Sequence, residues 1–133
     1  MGRFAKSNNA LSMLENAWDK IPGYKALKST GSFDQFEYAF KFVCDASINT
    51  KGKILFNLDG VNLEVVANIK PGTGLFEKLP QYGGESLWEK GYITEWEASS
   101  LLNDKKYLQS VEFHMEGKPV PTQKVQKKLK TTN

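Results

Sequence analysis

Two residues invite a catalytic reading, His114 and Cys44, and each is the only one of its kind in the chain. A histidine titrates near neutrality and suits general-base work. A thiolate is a nucleophile. His114, however, lies between Glu112 and Glu116 in a stretch that alternates polar and apolar residues, so it is expected on the solvent side of a strand. Cys44 follows Phe40, Phe42 and Val43 and is expected to be a small apolar core residue. One histidine and one cysteine fall short of a Cys/His zinc site. No run of acids has the spacing of a calcium loop. No catalytic residue, metal ligand or cofactor is therefore expected, and the chain reads as non-enzymatic.

Glycine could still cradle a phosphate, at Gly72-Thr73-Gly74 or Gly83-Gly84. A phosphate loop ends in Gly-Lys-Ser/Thr and opens a helix, and neither stretch does, so these glycines are expected in turns. Lysine offers more. Lys118, Lys124, Lys127, Lys128 and Lys130 fall in residues 118–133 with no acid among them. That segment carries +5, the rest of the chain −2, and the whole +3. Attraction to a polyanion should thus centre on the C-terminal segment, helped by Arg3 and Lys6 at the other end. Aromatic side chains at Tyr82, Trp88 and Tyr92 stand in a glycine-rich stretch and are candidate anchors for a partner, because Trp and Tyr are favoured in that role.

These groups need elements to position them. Leu11, Leu14, Trp18 and Ile21 recur at helical spacing, which predicts a first helix over 8–20. Phe36, Tyr38, Phe40, Phe42 and Cys44 alternate with Gln35, Glu37, Ala39, Lys41 and Val43, and this period of two predicts a strand. Ser32 and Gln35 would cap a competing helix, but Tyr38 and Phe42 would then point away from the apolar stripe. On an exposed sheet these aromatics would stack bases. Glu37 sits among them with Lys41, so they are expected to be core.

Ile54, Phe56 and Leu58 lead through Asp59-Gly60 to Val61, Leu63 and Val65, a pattern that predicts a hairpin on a type I′ loop. The three strands form an antiparallel meander over 34–70. Residues 71–92 read as a long irregular loop, with a helical turn around 85–90. Thr94 and Glu97 predict the capped start of a second helix over 95–103. A last strand runs over 107–116, with Tyr107, Gln109, Val111, Phe113 and Met115 on one face. Pro119 and Pro121 then predict an extended tail.

The expected fold is α+β: a single antiparallel sheet of about four strands on two helices, in the order α-β-β-β-α-β. Residues 1–117 would form one domain and 118–133 its tail. In outline, helix, three strands and helix resemble a double-stranded-RNA-binding domain. Such domains start the second helix with lysines, whereas Thr94-Glu95-Trp96-Glu97 is acidic, so no family membership follows.

At 133 residues with 40% hydrophobic content, the chain can bury a core without staples. A single cysteine excludes an intrachain disulfide and suits a reducing, cytoplasmic setting. No apolar run approaches the roughly 18–20 residues that span a bilayer. The opening MGRFAKSNN has no apolar leader, and Lys6 stands where a myristoylation signal has Ser or Thr. No membrane association is expected. The favoured function is binding of nucleic acid, single-stranded DNA or RNA, through the C-terminal lysines. The second reading is a protein-binding module, either an assembly subunit or an inhibitor, using loop 71–92 or docking on an acidic protein partner. A homo-oligomer stays open, and a phage or mobile-element origin suits the lack of a family signature.

Overall fold

The computed structural model describes residues 34–132. The expected first helix, Arg3 and Lys6 lie outside them. Among the described residues the fold is α+β, with one three-stranded mixed sheet and five α-helices. The expected four-stranded antiparallel sheet gives way to this smaller one. No helix among the described residues is long and apolar enough to cross a membrane.

Helix α1, Asp34–Lys51, replaces the expected aromatic strand. Ala39, Phe40, Cys44 and Ser47 are its buried positions, a helical stripe rather than an alternating row. Tyr38 and Phe42, which argued for a strand, face outward together. Tyr38 is 44% exposed, and its ring stacks on Phe42 at 6.4 Å, the i,i+4 contact that a helix provides. Left-handed Gly52, with φ +73°, ends the helix and donates its N–H to Ile48 O at 2.8 Å.

Strand β1, Ile54–Asn57, buries Ile54 and Phe56 as the alternation requires. The chain then turns at Leu58–Val61, with Val61 N donating to Leu58 O at 3.1 Å. Only Gly60 is left-handed there, at φ +78°, whereas a type I′ loop needs both central residues so. The hairpin therefore does not form. Asn62 instead caps helix α2, Leu63–Asn68, its side chain accepting from the N–H groups of Glu64 and Val65.

Residues 71–92 are irregular apart from a 3₁₀ turn at Pro80–Tyr82. The loop is pinned from inside. Leu75 N donates to Glu37 Oε1 at 2.7 Å, and Trp96 Nε1 donates to Thr73 O at 3.0 Å. Helix α3, Ile93–Asn103, matches the expected second helix. Its N-cap, Tyr92, makes no side-chain cap bond, so the Thr94–Glu97 box is not what starts it. A short helix α4, Lys105–Leu108, capped by Asp104, takes up the first part of the expected last strand.

Strand β2, Val111–Met115, pairs in parallel with β1, placing Phe56 opposite Phe113. Their rings meet edge-on at 6.0 Å. A parallel pair needs a long crossover, and α2, the irregular loop, α3 and α4 supply it. Strand β3, Lys118–Val120, pairs antiparallel with β2. The two-residue loop between them is Glu116-Gly117, both left-handed at φ 54° and 77°. This is the type I′ geometry expected at Asp59-Gly60, found at a later turn. The two turns touch, because Glu116 N donates to Asp59 Oδ1 at 2.8 Å.

The expected extended tail is β3 followed by helix α5, Thr122–Thr132. The prolines permit this. Pro119 lies on an edge strand, where no ladder donor is needed. Pro121 stands just before α5 and accepts from Lys124 N and Val125 N at 3.0 and 3.2 Å. A proline at a helix start removes a donor that would have no partner there anyway. Val125 is 1% exposed and joins the core cluster, with Leu129 packed against it.

Candidate nucleic-acid interface

Helix α5 orders most of the C-terminal lysines. Val125 and Leu129, four residues apart, turn inward with Thr122 and Gln126 beside them. At 100° per residue, Lys124, Lys127 and Lys128 then share the opposite face, and all three are exposed. Lys130 projects from the flank, and Lys118 is exposed on β3. Among the described residues Lys118, Lys124, Lys127 and Lys130 form no ion pair. Lys128 Nζ lies 4.0 Å from Met115 Sδ, at the end of β2. Lys124, Lys127, Lys128 and Lys130 are thus fixed to a helix that packs on α2 and β2.

The candidate aromatics divide into two pairs. Tyr82 and Tyr92 meet edge-on at 5.8 Å, and both pack partly buried against the core. Trp88 is 44% exposed and lies over Phe76 at 5.0 Å. The irregular loop therefore leaves Trp88 partly exposed and keeps its tyrosines packed against the core. Burial, with the neighbouring Tyr92 adding to it, raises the Tyr82 hydroxyl above its ordinary range.

His114 is not on a solvent face. It is 5% exposed, on a strand flanked by β1 and β3 and touched by α5. Its Nε2 lies 2.7 Å from Glu112 Oε2, and Lys53 Nζ approaches the other carboxylate oxygen at 3.5 Å. The hydrogen bond with His114, with Lys53 assisting, holds the Glu112 carboxyl below the usual carboxylate range.

Cys44 is buried as expected. Burial pushes its thiol up, and the charges of Glu97, Asp45 and Asp104 push it further, so it carries no thiolate at neutral pH. Glu97 is 3% exposed on α3. Burial, reinforced by nearby Glu95, raises it to about 8. Glu95 itself accepts from Asn62 N at 2.8 Å, which ties α3 to the cap of α2. Among the described residues no three His, Cys, Asp or Glu side chains gather as metal ligands would.

Two features of this region escape a reading of the sequence. The first is the amphipathic spacing of Val125 and Leu129, present in the sequence but masked by the prolines, which favour an extended tail. The second is a cavity of about 400 Å³ lined by α2, α3 and α5, which no local pattern announces. No protein-family model matches the chain, and no curated protein or solved structure matches it either.

Proposed function

We propose that this is a non-enzymatic, cytoplasmic accessory protein that binds nucleic acid through α5. The observation that carries the reading is the exposed row Lys124, Lys127 and Lys128 on a helix anchored by Val125. No acid interrupts residues 118–132. A helix fixes the charges in a row and spares the ordering entropy that a loose tail would lose on binding. Lysines serve phosphate as point charges and impose no base preference of their own. Single-stranded DNA or RNA is the favoured ligand.

Deleting the segment would be a poor test, since it removes Val125 from the core. Surface substitution is cleaner. Fluorescence anisotropy with single-stranded DNA, duplex DNA and single-stranded RNA should show binding at low salt by the wild type. Lys124→Gln/Lys127→Gln/Lys128→Gln should weaken it at least tenfold with an unchanged circular dichroism spectrum. No binding by the wild type to any of the three would reject the reading.

Exposed Trp88 on Phe76 favours a second reading, a protein-binding module built on loop 71–92. An aromatic-anchored interface would be nearly insensitive to salt, which separates it from phosphate binding.

A further inference from the structure

The cavity of about 400 Å³ between α2, α3 and α5 has an apolar wall that includes Ile69, Leu102 and Leu129, and a polar side of Asn103, Gln126 and Lys130. None of its lining residues is acidic. Asn103 donates its side-chain N–H to Ser99 O at 2.9 Å and to Ser99 Oγ at 3.1 Å, which orients the amide and leaves Oδ1 as an acceptor. Gln126 and Lys130 make no side-chain hydrogen bond or ion pair among the described residues. The cavity thus offers a flat molecule an apolar wall, a fixed acceptor, an uncommitted amide and an uncommitted cation. Lys130 also stands one turn beyond Lys127, so the cavity opens beside the exposed lysine row.

We propose that this cavity takes one unstacked nucleotide of the strand held by α5, an inference that rests on the nucleic-acid reading. The base lies against the apolar wall. Asn103 Oδ1 accepts from an exocyclic amino group, and Gln126 takes a second position on the base edge. Lys130 pairs with the 5′-phosphate. The acceptor at Asn103 selects bases that carry an exocyclic amino group, adenine, cytosine and guanine, over uracil. Reading an extruded base by its edge in a pocket is an established use of such groups. The backbone row and the pocket would divide affinity and preference between them.

The test is an NMR titration of the ¹⁵N-labelled full chain with AMP, CMP, UMP and ribose 5-phosphate, beside anisotropy with a ten-nucleotide strand. Expected are shifts in the Asn103 and Gln126 side-chain amides with AMP and CMP, at least fivefold tighter binding than UMP, and shifts confined to the surroundings of Lys130 with ribose 5-phosphate. Ala67→Phe, which fills the cavity, should abolish the AMP and CMP shifts. Asn103→Ala, which removes the fixed acceptor, should reduce the preference over UMP to within twofold. If the wild type binds the strand but the nucleotides leave these amides unmoved, the pocket assignment is overturned and the α5 reading stands. If the strand does not bind at low salt, the α5 reading falls and the pocket assignment with it.

Discussion

Replacing Glu97 with glutamine should remove most of a pH dependence that burial builds into the fold. Glu97 has an ordinary value of 4.5 and is raised to about 8 in the folded chain, first by burial and then by the charge of Glu95. Between these pH values the folded carboxyl keeps its proton and the unfolded one has lost it. Stability from this group is therefore complete below about pH 4.5 and falls as pH rises toward 8. Each pH unit in that window is worth roughly 1.4 kcal/mol, so the loss at pH 7 is on the order of 3 kcal/mol. Glutamine keeps the shape and carries no charge at any pH. Glu97→Gln should thus match the wild type within about 1 kcal/mol at pH 5 and exceed it by about 3 kcal/mol at pH 7. Glu112, held below its usual range, loses its contribution only as pH falls through the acid region, outside this window. Urea unfolding followed by tryptophan fluorescence at pH 5, 7 and 8 measures the difference. Parallel stability profiles for the two proteins would refute the reasoning.

The other predictions concern α5 and the turns. Val125→Ala should cost roughly 2 kcal/mol in the same urea assay, because two buried methyl groups leave a gap. A chain ending at Gly117 should lose the cooperative transition. Glu116→Asn should stabilise by about 0.5–1 kcal/mol, since asparagine tolerates the left-handed backbone better than glutamate; a melting temperature that falls would count against it. Asp59→Ala removes the acceptor that braces Glu116 N and should cost about 1 kcal/mol, measured by thermal melting.

Much of the core was legible residue by residue, although the element types were less so. Ile54, Phe56, Val111 and Phe113 were expected to face inward and do, because strand alternation decides burial whatever the pairing direction. Cys44 was expected in the core, and a helix delivers it there as well as a strand would. The residues 36–44 misled because both periods fit them. Aromatics at every second position also give a helix its inner Phe40–Cys44 stripe and an outer Tyr38–Phe42 stack. The Asp59-Gly60 signal was real as a turn. The element beyond that turn is decided by Asn62, whose side chain satisfies the first amides of α2, a local competitor to the strand. The parallel β1–β2 pair depends on contacts far apart in sequence, which no window of neighbours contains. The lysines of the candidate interface were found by composition, and their alignment on one face required α5, which Pro119 and Pro121 concealed. The cavity arises where three helices meet and has no local signature.

The most direct measurement is the salt dependence of binding to a labelled single strand, by anisotropy, for the wild type and for Lys124→Gln/Lys127→Gln/Lys128→Gln. On a single strand each neutralised phosphate contributes about 0.7 to the log–log slope. The account predicts a wild-type slope no steeper than about −3.5 and a variant slope shallower by about 2. Equal slopes and equal affinities for the two proteins would contradict it.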